Sequence, residues 1–158
     1  MHNIEDALTT LRTYVINNLG AKLAAITSEK GDAIELPMPD ESSIRMRESE
    51  RLDATETLAI AFIGEESDHV NDFQQGGRDY NHSVRVVVMA RHTDEDTLQK
   101  MVWRYARALA EIIIADQATM TLGRVTVVKK AVYHKVLKGG DSHTKEVEIP
   151  ITITRREV

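Results

Sequence analysis

The sequence predicts an α+β fold, two helices packed on a mainly antiparallel four-stranded sheet in the order α-β-β-α-β-β. Three observations predict it. Two segments repeat apolar residues at spacings of three and four, which puts them on one helical face. Two others alternate apolar and polar residues with the period of a strand. Gly139-Gly140-Asp141 then supplies hairpin chemistry between the last two strand segments.

The first helix is expected over residues 4 to 19, where Ile4, Leu8, Leu11, Val15 and Leu19 share a face. Asn3 is placed to cap it, Glu5 and Asp6 suit the positive end of its dipole, and Gly20 is placed to end it. Ala21 to Ile26 adds a further short turn. Residues 27 to 56 form a long irregular segment. Pro37-Met38-Pro39 stops any helix there, and the segment reads either as a functional loop or as hiding a strand, with Ala33 to Leu36 as the candidate. Arg45 to Asp53 carries dense alternating charge, which reads as a solvated stretch, with a partner-binding arm as the functional alternative.

Four strands follow. Thr57 to Ile63 is apolar on both faces. Ser83 to Arg91 places Val84, Val86, Val88 and Ala90 on one face, with Arg85 and Arg91 on the other. A polar loop, Gly64 to His82, joins these two. The third strand, Arg124 to Leu137, changes phase near Lys129-Lys130, as at a bulge or bend. The fourth, Glu146 to Thr154, aligns Val147, Ile149, Ile151 and Ile153. Pro150 cannot donate a ladder hydrogen bond, so it marks an edge or a local break. The second helix spans Glu95 to Asp116, capped by Thr93 or Asp94, with Leu98, Met101, Val102, Tyr105, Leu109, Ile112 and Ile113 as its core face.

Composition narrows the function. A chain of 158 residues fits one domain, 1–158, large enough to bury its own core. Aromatics make up only 4%, against a stacking platform for single strands, and a net charge of −5 disfavours binding duplex nucleic acid by phosphate neutralisation, so no sequence-specific nucleic-acid partner is expected. There is no cysteine, so disulfides and thiolate sites are excluded. No secretory leader is expected. No apolar stretch reaches the roughly 20 residues a membrane helix needs.

No catalytic, cofactor or metal motif stands out, and none of these is expected. Asp141-Ser142-His143 has triad residue types, but on a hairpin tip they read as turn residues. His92, Asp94, Glu95 and Asp96 cluster at a helix start, where capping accounts for the acids. His69, Asp68 and Asp72 belong to the polar loop, and His134 to a strand as a half-buried polar residue. One feature resists a simple monomer. Trp103, Arg107, Ala110 and Ile114 form a second strip on the second helix, away from its core face. Trp and Arg are common interface anchors, so these four residues are the expected oligomer interface.

The strand Val84-Arg85-Val86-Val87-Val88-Met89-Ala90-Arg91, running at once into Thr93-Asp94-Glu95-Asp96 and a long helix, resembles phage tail terminator proteins, also called tail completion or tail-to-head joining proteins. The closing strand Glu148-Ile149-Pro150-Ile151-Thr152-Ile153-Thr154-Arg155-Arg156 adds to the likeness. It covers the first helix and the chain from about Thr57 onward. The resemblance implies a virion structural protein at the tail-head junction, assembled in the host cytoplasm. It implies a ring of copies, commonly a hexamer, that caps the tail tube and meets a head-completion or connector protein. DNA passes through such a ring without sequence readout. Segments 27–56 and 64–82 become candidates for contacts with neighbouring subunits or the tube. The alternatives are a neck or head-completion protein, and a small-molecule-binding regulatory oligomer.

Overall fold

The computed structural model describes residues 3–46, 52–72 and 77–157. Two helices, α1 (Ile4–Lys30) and α2 (Glu95–Ala115), lie on one face of a mixed sheet. Its strands are β1 (Ile44–Arg45), β2 (Leu58–Asp72), β3 (Arg78–His92), β4 (Val125–Val128), β5 (Val132–Tyr133), β6 (Leu137–Gly139) and β7 (Ser142–Glu157). The sheet order is β1-β2-β3-β7-β4, with β5 and β6 continuing the β4 side against β7. All pairings are antiparallel except β1 with β2. Among the described residues the sheet therefore has seven strands, where the sequence led us to expect four, although the two helices and the mainly antiparallel pairing are as expected.

Helix α1 does not stop at Gly20. The buried stripe of Ala7, Leu11, Val15 and Leu19 continues through Leu23 and Ile26. An interior glycine costs about 1 kcal/mol relative to alanine. Burying Leu23 and Ile26 returns roughly 2 kcal/mol each, so packing wins. Asn3 caps the start, its side chain accepting from the Asp6 N–H at 3.1 Å. The stop is Gly31, at φ 62°, which gives its N–H to the Thr27 carbonyl. Helix α2 has the expected buried face, from Leu98 through Ile113, and it docks on α1 through the Tyr14 hydroxyl, 2.5 Å from the Ile112 carbonyl.

Segment 27–56 is more ordered than expected. Its first residues belong to α1, and its hidden strand is Ile44–Arg45, after a 3-10 turn at Glu41–Ser43; Ala33 to Leu36 forms no strand. Side chains of the helices hold it in place. Arg104 binds Asp32 at 2.9 and 2.5 Å, Tyr105 donates to the Pro37 carbonyl, and Arg12 donates to the carbonyls of Ile44 and Glu41. Most of the charged run at 45–53 lies outside the described residues. Its first member, Arg45, is buried beside Glu56 at 2.8 Å and is not a solvated charge.

The predicted loop Gly64 to His82 is mostly strand. Strands β2 and β3 run on past the core as a hairpin arm, with register shifts between Gly64 and Glu66 and between His69 and Asn71. Strand β7 follows β3 along the whole arm, pairing Arg78 with Glu157. Thr57 to Ile63 is apolar on both faces for a visible reason. Leu58, Ile60 and Phe62 join the core under the helices, while Ala59, Ala61 and Ile63 form a second cluster on the other face with Val87 and Met89.

The phase change near Lys129-Lys130 is a break of the outer rung into β4, β5 and β6. Pro150 sits opposite that break, between the partners of Val128 and Val132. Its carbonyl accepts the Lys129 N–H at 2.8 Å, so the missing proline N–H lies on the same side. Pro150 thus occupies an internal strand, β7, and interrupts its neighbour there.

Candidate functional site

The outer face of α2 is set by its inner one. Packing Leu98, Met101, Val102, Tyr105, Leu109, Ile112 and Ile113 inward turns Trp103, Arg107, Ala110 and Ile114 outward, because positions three and four apart share a side. Trp103 remains 48% exposed and Ile114 49%. Ala110 is half-buried between them. Arg107 is bound in a fork, 2.9 and 2.7 Å from Glu29 of α1 and 2.8 Å from Glu111 one turn on. Glu111 also meets Lys22 at 3.3 Å. Hydrogen bonds from Arg107 hold the carboxyls of Glu29 and Glu111 below the usual range. The strip is therefore two apolar side chains flanking a charge already neutralised within the chain.

Arg104, one turn inside, was not singled out by sequence. It is buried, and it holds the Asp32 carboxyl down to about 2, helped by the Ile34 N–H. Glu56 was missed as well. Burial pushes its carboxyl up, but the Arg45, Ser43 and Asp53 donors outweigh that and bring it to about 2. Both are structural clamps on the segment between α1 and β2. An isolated charge at an apolar helix position, Arg104 between Trp103 and Tyr105, was the available signal for the first.

The polar clusters resolve individually. Asp94 caps α2, accepting from the Thr97 N–H at 2.9 Å and its hydroxyl at 2.7 Å, which lowers its carboxyl; His92 accepts the Asp94 N–H. On the β6–β7 turn, where Gly140 has φ 62°, Ser142 donates to the Gly139 carbonyl and His143 Nδ1 to the Thr93 carbonyl at 3.2 Å. Serine and histidine thus have separate backbone partners, not each other. Asp68 and His69 sit on β2, where the His69 ring lies 5.6 Å from the Tyr80 ring; Asp72 is in the same strand.

His134 falls just past β5, and its side chain is 45% exposed. It meets Glu146 and Glu148 across the rung, with one donor atom from each within 4.8 Å of the others. Arg85 already binds Glu148 at 2.6 Å, so a fixed cation occupies the charge a metal would need. On the hairpin arm His82 is fully buried, between the Ser67 hydroxyl at 2.8 Å and the Glu157 carboxylate at 2.9 Å. Asp79, also buried, is bridged by Arg124 and Arg156. These pairs tie β2, β3, β7 and the start of β4 into one arm.

The described surface carries open grooves. One of about 520 Å³ runs between α1 and the end of α2, lined by Thr9, Thr10, Thr13, Tyr14, Asn17 and Asn18 among others.

No protein-family model matches the chain, and no curated protein matches it. Among solved structures, a chain from the virion of a native gene transfer agent particle is similar with a TM-score of 0.37 and 10% identity, over 87% of this chain and 92% of that one. A likeness of that size carries no argument about function.

Proposed function

We propose that this chain is a virion structural protein of the tail-terminator kind, a single domain that assembles with copies of itself into a ring, caps a tail tube and offers a surface to a head-completion protein. The observation that carries the reading is the outer strip of α2. Trp103 and Ile114 are each about half exposed on the outside of the helical layer, on either side of a self-neutralised Arg107. Large apolar side chains grouped this way point to a protein partner. The resemblance of the β3–α2 passage and of β7 to tail terminators supplies the kind of partner.

Sedimentation of the purified protein at micromolar concentration, alone and with a tail tube protein, tests this. Discrete oligomers, or a complex with the tube protein, are expected. A strict monomer that ignores the tube protein overturns it. Pull-down against tube and connector proteins separates a terminator from a neck protein. The regulatory-oligomer alternative calls for a deep apolar pocket with a few polar groups, whereas the groove beside α1 lies open to solvent.

A further inference from the structure

Among the described residues the sheet has two edges that carry no strand, and they are opposite in charge. Strand β1 covers β2 only at Ile60 and Ala61, so among the described residues the outer side of β2 from Phe62 to Asp72 carries no strand. The outer sides of β4, β5 and β6 carry none either, and they lie at the other end of the sheet order. From Gly64 to Asp72 the chain holds Glu65, Glu66, Asp68 and Asp72 and no Lys or Arg. From Gln117 to Gly140 it holds Arg124, Lys129, Lys130, Lys135 and Lys138 and no Asp or Glu. Glu66, Asp68 and the four lysines are exposed, and none of them has an ion-pair partner among the described residues.

The basic edge is also apolar. Val125, Val127, Val132 and Leu137 are 52%, 48%, 37% and 67% exposed. Their register partners on β7 are Thr154, Thr152, Glu148 and Thr144, all even positions, so the four project from one face of the sheet. Val70, at 44%, is the exposed apolar residue of the acidic edge.

Charged edges ordinarily keep sheets from pairing with one another. That explains why neither edge joins its own kind. It does not explain why one edge is acidic throughout and the other basic throughout. Opposite signs repel like edges and attract unlike ones, which selects a single head-to-tail arrangement. We propose that the acidic outer edge of β2 docks against the basic β4–β6 edge of a second copy. This rests on the self-assembly reading above and gives it a surface. Such a contact joins two different patches, so repeated copies close a ring or run on as a filament. The register shifts at Gly64/Glu66 and His69/Asn71 limit any backbone ladder to the few residues between them. Side-chain charge and the valine row therefore carry the contact.

Two double variants test it, read by light scattering after gel filtration at low salt, with circular dichroism as the fold control. One carries Lys129→Glu and Lys130→Glu, the other Glu66→Lys and Asp68→Lys. Each alone should be monomeric. An equimolar mixture should recover the wild-type mass, because each unlike pair of edges is complementary again. Wild-type assembly should also weaken at least about tenfold when NaCl rises from about 50 to about 500 mM. This arm stands even where a variant fails to fold. Oligomers unchanged by both double variants, or indifferent to salt, overturn the edge contact and leave self-assembly standing. A wild type that is monomeric at low salt overturns both. Loss of duplex DNA binding in the lysine variant, with assembly intact, overturns it by assigning the basic edge to nucleic acid.

Discussion

Replacing Trp103 with alanine tests the outer face of α2 most directly. An aromatic side chain of this size presents up to roughly 250 Å². With 48% exposed, about 120 Å² remains for a partner to cover. At about 25 cal/mol per Å² that area is worth about 3 kcal/mol, or about a 150-fold change in the association constant. The other half of the ring is already packed within the chain, so Trp103→Ala should also cost the monomer about 2 kcal/mol, short of unfolding it. Sedimentation velocity across a concentration series measures the first effect and urea denaturation the second. Trp103 is the sole tryptophan, so its fluorescence gives an independent reading. The emission maximum of the wild type should move to shorter wavelength as oligomers form or tube protein is added. Emission that stays fixed while the mass rises would show that Trp103 is not in the contact. A variant that unfolds outright would place the residue in the core and refute the interface reasoning.

Other outcomes follow from the clamps and the backbone. Glu56→Gln removes the carboxylate that the buried Arg45 and Ser43 both bind, and stability in urea should fall by roughly 2 kcal/mol. Asp32 and Glu56 have carboxyls near 2 against ordinary values of 3.8 and 4.5, so the folded chain binds fewer protons than the unfolded one in that range. Their stabilisation is complete above the ordinary values and is lost as pH falls toward 2, which melting curves across that range will show; Asp32→Asn should remove part of the slope. Gly123→Ala puts a methyl 2.6 Å from the Thr154 carbonyl oxygen, a backbone atom that cannot turn aside, and should cost about 2 kcal/mol. Gly64→Ala meets the Ile4 side chain at the same 2.6 Å, but that chain end can rotate, so its midpoint in urea should shift less. Replacing His134 and His143 together with alanine should leave assembly unchanged by gel filtration.

Legibility in the sequence followed burial. Helix α2 and its stripe were plain because Leu98 through Ile113 keep one period against one core. The inner halves of β2 and β3 were plain for the same reason. The hairpin arm was not, because Glu65 to Asp72 has no apolar alternation to read. What holds the arm are polar pairs such as His82 with Glu157, seventy-five residues apart, and no local pattern encodes them. Gly20 misled because a glycine's meaning as a stop depends on whether the stripe resumes beyond it, and Leu23 and Ile26 resume it. The two-residue strand β1 is fixed by Arg12 and by its parallel partner, neither visible locally. Of the candidate site, the outward position of Trp103 and Ile114 was readable from helical geometry. The pairing of Arg107 with Glu29 was not, because it depends on how α1 and α2 dock.

The place of β7 inside the sheet, between β3 and the β4–β6 rung, also governs when the molecule can form. It joins Arg78 to Glu157, a separation of 79 residues (157 − 78), and provides the inner side for β4, β5 and β6. During synthesis the β2–β3 hairpin emerges first, with the row of Val84, Val86 and Val88 lying along an unoccupied edge. Four strands and the second helix lack their final support until the last strand arrives. Long-range pairing of this kind makes folding slow and leaves the incomplete chain prone to association with others like it. Under the self-assembly proposed above, the chain thus passes through a stage in which the wrong edge is the available one, and the arrival of β7 is the event that withdraws it.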